Sequence, residues 1–151
     1  MPSPISPPSD YFRECTARLL RDPIVMAGSS DGGAHLLSFT GADYPTRLLG
    51  EWVPDVLPLE EAVRKLTGVP AAVHGLRDRG VVREGAWADL VIVDLARLRA
   101  GATSLVHDFP GGSGRFVVDA EGYVAVVVNG EVLLESGRWT GATPGHVLRA
   151  G

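Results

Sequence analysis

The sequence has little of several residue types and patterns that would define its class. Cysteine and lysine each occur once among the 151 residues, as Cys15 and Lys65. A single cysteine excludes an intrachain disulfide, so we expect a reducing compartment such as the cytoplasm. No apolar run approaches the roughly 20 residues of a membrane-spanning helix, and we expect no signal peptide because no basic segment precedes an apolar one. The net charge of -4, without a basic patch, argues against nucleic acid and membrane as partners.

The first half of the chain predicts helices around one short strand. Residues 1–9 are rich in proline and serine and are typical of a disordered arm. Ser9 is placed to cap a helix from Asp10 to about Arg21. Ile24–Ala27 shows no alternation and predicts a short, fully buried strand. Three more helices are predicted, at Tyr44–Val53, at Leu59–Thr67 and from Pro70 to about Gly75.

From about Arg77 the pattern becomes β. Strands are predicted at Gly80–Gly85, Ala88–Asp94, Tyr123–Val128 and Glu131–Glu135. Asn129-Gly130 between two apolar strands predicts a tight hairpin, because both residues tolerate positive φ. The glycine-containing residues 101–114 predict a long loop. The fold class is therefore α+β. A lone buried strand in the first half needs partners on both edges, which indicates a part of something larger.

The most informative segment is Ser30–His35, which directly follows the predicted strand of the first half. Parallel α/β enzymes place catalytic carboxylates at the carboxyl end of such a strand, and glycines allow close approach of a ligand. Asp31 is therefore a candidate catalytic residue, with an ordinary Asx-turn residue as the alternative. His35 is a candidate contact to substrate or metal, with a solvated loop histidine as its alternative.

Five segments carry a further pattern through their order along the chain. They are Val25–His35, Tyr44–Gly50, Leu59–Thr67, Asp78–Asp94 and the tail Val127–Arg149. This ordered set resembles the C-terminal portion of the metal-dependent amidohydrolases, in particular the group of N-acyl-D-amino-acid deacylases (D-aminoacylases). The most specific part is the run through Arg83-Glu84-Gly85 to Ala88-Asp89-Leu90-Val91. In this superfamily such a run marks the return of the chain from the catalytic barrel to a small β-sandwich.

The resemblance implies both a fold and an activity. Residues 10–76 would be the last strand and helices of a TIM-like barrel, and residues 77–151 a β-sandwich portion. Asp31 would touch the metal, zinc in the complete family site, and act as acid and base in hydrolysis of a carbon–nitrogen bond of an N-acyl amino acid. His35 and Arg47 would bind substrate. A surface ion pair is the alternative for Arg47.

The sequence also departs from the family pattern. It lacks the His-x-His pair that supplies the first metal ligands, and Lys65, expected in a surface helix, cannot replace the bridging ligand. The His-Pro-Arg run after the strand-eight loop is also absent, which leaves the substrate open. A zinc site needs three protein ligands plus water. Two hypotheses follow: a hydrolase completed by another polypeptide or an N-terminal portion, or a non-catalytic module that associates with itself or a partner through exposed strand edges.

Overall fold

The computed structural model describes residues 9–28, 30, 37 and 42–148. Within these residues helices come first and strands second, so the mixed helix-and-sheet class is confirmed. The helices are α1 (Asp10–Arg21), α2 (Tyr44–Glu51), α3 (Leu59–Leu66) and α4 (Gly68–Val73). The strands are β1 (Leu90–Val93), β2 (Arg99–Val106), β3 (Arg115–Glu121), β4 (Tyr123–Val128), β5 (Glu131–Glu135) and β6 (Arg138–Trp139). None of the described helices is long and apolar enough to cross a bilayer. The arm predicted at residues 1–9 lies, except for Ser9, outside the described residues.

The helices begin and end close to their predicted positions. Ser9 caps α1, since its hydroxyl oxygen accepts a hydrogen bond from the Phe12 amide at 3.3 Å. Pro45 lies in the first turn of α2, where the missing N–H is not needed. In α3, Glu60 and Glu61 lie in the first turn and basic residues in the last, which suits the helix dipole.

One apolar cluster holds the helices together. Its buried members are Leu48 of α2, Leu57 of the following turn and Ala62 of α3. Half-buried residues pack around it: Leu20, Ala27, Leu49, Trp52, Val53, Val56 and Leu66. Full burial of one leucine side chain contributes about 1.5–3 kcal/mol. Since Leu20 belongs to α1, the cluster joins three helices and the segment that contains Ala27.

The strands form two antiparallel sheets. The larger has the order β1-β4-β5-β6, and the smaller consists of β2 and β3. The turn between β4 and β5 is Asn129-Gly130, with φ of 50° and 83°, which confirms the predicted hairpin.

Close contacts connect α2 to the strands. The Thr46 hydroxyl lies 2.8 Å from the Tyr123 hydroxyl of β4, and Thr46 is buried. A Cβ built on Gly50 would stand 2.7 Å from the backbone oxygen of Leu98, itself buried. Only glycine permits this approach of the helix to the turn before β2.

Two β predictions are wrong. Residues 80–85 form a bend and a turn joined by irregular backbone, because Gly80 and Gly85 take φ of 82° and 81° and interrupt the pleat. The loop predicted at residues 101–114 is occupied in its first part by β2. There the ladder with β3 outweighs the weak strand preference of Gly101, and the register shifts between Ala100 and Thr103.

The fully buried strand predicted at Ile24–Ala27 is also not observed. None of the described strands includes these residues, and Ile24 is 91% exposed. Val25 and Ala27 are half-buried, whereas Ile24 and Met26 are exposed, so the two sides of the segment differ. A parallel strand needs neighbours on both edges, and the described residues provide none.

Candidate functional site

The structure fixes the backbone that leads into the candidate loop but not the loop itself. Asp31 and His35 lie outside the described residues, so their proposed roles stay predictions. The segment before them, residues 22–28, is described throughout. It follows directly from the end of α1, and Asp22 is the C-cap of that helix.

The segment starts with a turn that the sequence dictates locally. The Asp22 carboxylate accepts the Ile24 amide at 2.9 Å, and the Asp22 carbonyl accepts the Val25 amide at 3.3 Å. Pro23 between them cannot donate and supports this geometry. Ala27 then packs against the apolar cluster of the helices, and a Cβ built on Gly28 would lie 3.7 Å from the Tyr44 hydroxyl.

Lys65 of α3 holds the same segment from the side. Its ammonium donates to the carbonyl oxygens of Asp22 at 2.8 Å and Val25 at 2.7 Å. The residue is 1% exposed, so the expectation of a surface position is wrong. A signal was available: Lys65 stands three residues after buried Ala62, which puts both on one helix face. The polar character of lysine hid that signal, because lysine is almost never fully buried unless it is paired.

Arg47 lies on the exposed side of α2 between two carboxylates. Its Nε is 2.5 Å from an Asp43 oxygen and its Nη1 is 2.8 Å from a Glu51 oxygen. The hydrogen bond with Asp43 raises the pKa of Arg47 above its usual value, although burial acts in the opposite direction. The structure thus places Arg47 in the surface ion pair that was the alternative to substrate binding, and the binding role stays a prediction.

A polar network, missed in the sequence, lies in the Ala-Asp-Leu-Val run. Arg79 pairs with Asp89 and donates to the Asn129 side-chain oxygen at 2.9 Å. The backbone amide of Asn129 donates to the Asp89 carboxylate at 2.8 Å, and the Trp87 ring lies 5.1 Å from the Arg79 guanidinium carbon. Burial raises the pKa of Asp89, but the hydrogen bonds from Asn129 and Arg79 outweigh it and the pKa is lowered. The network ties the run to the β4–β5 hairpin, which is a structural role.

The described residues do not by themselves fit a metal centre. No three of their His, Cys, Asp and Glu side chains come together as a ligand group. His74 is exposed, His107 lies 3.0 Å from the Gly112 carbonyl, and the His146 ring lies 6.5 Å from the ring of Trp87. These three histidines therefore belong to no metal-ligand group within the described residues.

Comparison with known proteins gives a consistent family. The model of the amidohydrolase family matches residues 9–134. Three curated relatives come from Alcaligenes xylosoxydans xylosoxydans. An N-acyl-D-glutamate deacylase is 53% identical over 51 residues, 32% of this chain and 10% of the relative. An N-acyl-D-aspartate deacylase is 36% identical over a match that covers 64% of this chain and 18% of the relative. A D-aminoacylase is 38% identical over a match that covers 68% of this chain and 20% of the relative.

Solved structures agree with these relatives. A crystal structure of D-aminoacylase, described as defining a novel subset of amidohydrolases, superposes with a TM-score of 0.54 at 37% identity. The superposition covers 70% of this chain and 21% of the D-aminoacylase chain. Another structure of D-aminoacylase is described with a binuclear metal centre. The chain spans 10–20% of the length of the three curated relatives.

Proposed function

The chain belongs to the amidohydrolase family, and from this membership we propose that it forms the C-terminal portion of a hydrolase of non-peptide carbon–nitrogen bonds. N-acyl amino acids are the proposed substrates, since the relatives are named as deacylases of N-acyl-D-glutamate and N-acyl-D-aspartate. The observation that carries the proposal is the family match over residues 9–134, a range that includes Asp31.

We propose residues 24–28 as the last strand of a TIM-like barrel. Ala27 packs against the helices and Val25 is half-buried, whereas Ile24 and Met26 are exposed. In such a barrel α2 and α3 would belong to the outer ring, the exposed side would meet the barrel interior, and the strand edges would pair with the neighbouring strands. The strands after residue 77 would then belong to a β-sandwich portion.

The proposed chemical role of this chain is that of one carboxylate. An ionised Asp31 beside the attacking water would accept its proton and then deliver that proton to the departing amine as the carbon–nitrogen bond breaks. Because the described residues do not fit a metal centre, the zinc expected for this family would need ligands from beyond them.

The open sheet supports a second candidate, a non-catalytic module that associates with itself or with a complementary barrel chain. Val91 and Ile92 of β1 are both exposed. Successive residues of a strand point to opposite faces, so the described residues cover neither face of β1 completely. Apolar surface of this kind marks association sites.

The two candidates are separated by an assay of the chain and of a chimera. The chain replaces its matching segment in D-aminoacylase, and release of free D-amino acid from N-acetyl-D-glutamate and N-acetyl-D-aspartate is measured with added zinc. The hydrolase proposal expects activity in the chimera, reduced about 100-fold or more by Asp31→Asn through loss of acid–base catalysis.

The outcomes assign one role each. An active chimera that is indifferent to Asp31→Asn contradicts the role of the carboxylate. An inert chimera, together with a metal-free chain that forms a defined oligomer, favours the non-catalytic module. Zinc content and sedimentation of the unmodified chain complete the comparison.

A further inference from the structure

The buried ammonium of Lys65 has an unusual set of partners. Its hydrogen-bond acceptors are two backbone carbonyls, those of Asp22 and Val25, and within the described ranges no carboxylate lies at ion-pair distance. Moving a charge out of water is costly, and an apolar side chain of similar length would fill the same space without that cost. The ammonium therefore has a role beyond packing.

That role follows from the backbone it contacts. The Asp22 carbonyl also accepts the Val25 amide, whereas the described residues form no ladder that would pair the Val25 carbonyl. Lys65 instead supplies two N–H donors from α3. Asp22 is also the C-cap of α1, so the cation lies at the negative end of that helix.

The held segment leads directly to Asp31. Val25 precedes Asp31 by six residues, and between them Ala27 packs on the apolar cluster and Gly28 lies beside Tyr44. Lys65 is thus the polar member of a set of contacts that fixes the chain just before the candidate loop.

We propose that Lys65 is a positioning residue: it holds the backbone of residues 22–25, from which the chain runs on to the candidate catalytic residue Asp31. This inference rests on the proposed role of Asp31. It adds a residue that contributes through the backbone, without contact to substrate.

The test compares three variants of the chain and of the chimera. Lys65→Met removes the donors and keeps the length, Lys65→Arg keeps a charged donor, and Arg64→Met is the matched control. Arg64 is the neighbouring residue of α3, half exposed and paired with Glu61 at 2.7 Å, so its loss removes the same charge from the helix surface.

Amide hydrogen exchange is the first readout and needs no activity. We expect Lys65→Met to speed exchange of the Ile24 and Val25 amides about tenfold while β4 stays unchanged, because both amides donate to Asp22, whose carbonyl Lys65 holds. Lys65→Arg should restore part of the protection, and Arg64→Met should have no effect. Unchanged exchange of these two amides in Lys65→Met overturns the proposal.

Kinetics of the chimera are the second readout. A misplaced Asp31 should lower kcat about 10- to 100-fold with little change in KM, and Lys65→Arg should recover part of kcat. A purely stabilising lysine would leave kcat of the folded fraction unchanged, and that result also overturns the proposal. If the wild-type chimera is inert, the proposed function fails, whereas the exchange experiment still decides whether Lys65 holds the segment.

A measurement on the unmodified chain covers the case in which Lys65→Met does not fold. Lys65 is the only lysine in the sequence, so a lysine-selective proton–nitrogen spectrum contains one side-chain ammonium signal. We expect protons that exchange slowly with water, as buried hydrogen-bonded donors do. An ammonium that exchanges as rapidly as free lysine overturns the proposal.

Discussion

The helical region, α1–α4, and the sheet region, β1–β6, are stabilised in different ways. Helices α1, α2 and α3 share a buried apolar cluster around Leu48, Leu57 and Ala62. The strands are paired through backbone ladders, yet Val91, Ile92 and many other apolar residues of β1–β6 are exposed or half-exposed. Polar contacts add to these ladders. One example is the network of Arg79, Asp89 and Asn129, which lies outside the helices.

The difference shows that a region can form regular secondary structure without burying a core. A strand satisfies its amides through its neighbours whatever covers its faces, whereas a short helix depends on the burial of one face. The sheet region therefore keeps its register with open faces. The helical region buries part of its apolar surface in that cluster, whereas Phe12, Leu19, Ile24, Met26 and Val73 remain exposed.

The largest expected effect separates the two regions directly. Leu57→Ala should lower the free energy of unfolding by about 2–4 kcal/mol, because it leaves a cavity in the buried cluster. Val91→Ala, in an exposed position of β1, should change it by about 0.5 kcal/mol. Urea titration followed by circular dichroism measures both, and equal losses would show that the regions do not differ in this way.

Acid should weaken the sheet region through Asp89. The pKa of Asp89 is lowered in the folded chain, so its contribution is present above the unfolded pKa of about 3.9 and is lost as the pH falls through the folded pKa. Asp89→Asn should cost about 1 kcal/mol at neutral pH, a value reduced because a third of the side chain is exposed.

The same substitution should flatten the dependence of stability on acid, measured by urea midpoints from neutral pH to about pH 2. The comparison variant is Asp108→Asn. The pKa of Asp108 is also lowered, by the hydrogen bond from Arg115, but that ion pair is on the surface. The variant should therefore change the dependence of stability on pH less. A larger change from Asp108→Asn would contradict the importance of the Asp89 network.

The hairpin of the sheet region depends on backbone conformation. Gly130→Ala should cost about 1 kcal/mol, because a Cβ at φ of 83° is strained even though nothing lies within 4 Å of it. Gly145→Ala is the matched control, since that site is equally open and its φ is outside the left-handed region. Thermal unfolding of the two variants tests this prediction. Equal stability of the two variants would show that the conformation of the turn does not determine stability.

The smallest effect is expected on the surface of the helical region. Arg47→Ala should cost less than about 0.5 kcal/mol, because exposed ion pairs contribute little, and high salt should reduce the loss further. The same variant in the chimera tests substrate binding. A rise in KM of about tenfold with unchanged kcat would support a contact to a substrate carboxylate, and unchanged KM would leave only the ion pairs.

Local signals in the sequence were sufficient for much of the fold. The Ser9 cap, Pro45 in the first turn of α2 and the Asn129-Gly130 turn each act within a few residues, so the pattern predicts them and the structure confirms them. The family was also readable, because the order of its segments lies in the sequence. For the same reason Asp31 could be singled out, although its position lies outside the described residues.

What tertiary structure decided depends on contacts distant in sequence. The ladder of β2 with β3 makes a strand of residues that read as loop, and missing neighbours leave Ile24–Ala27 without one. Lys65 is buried where its ammonium donates to the carbonyls of Asp22 and Val25, some 40 residues away in the sequence. Sequence alone determines where a chain can turn and which face of a helix is apolar. Only the packing of the elements decides which backbone groups lack partners and which side chain supplies those partners.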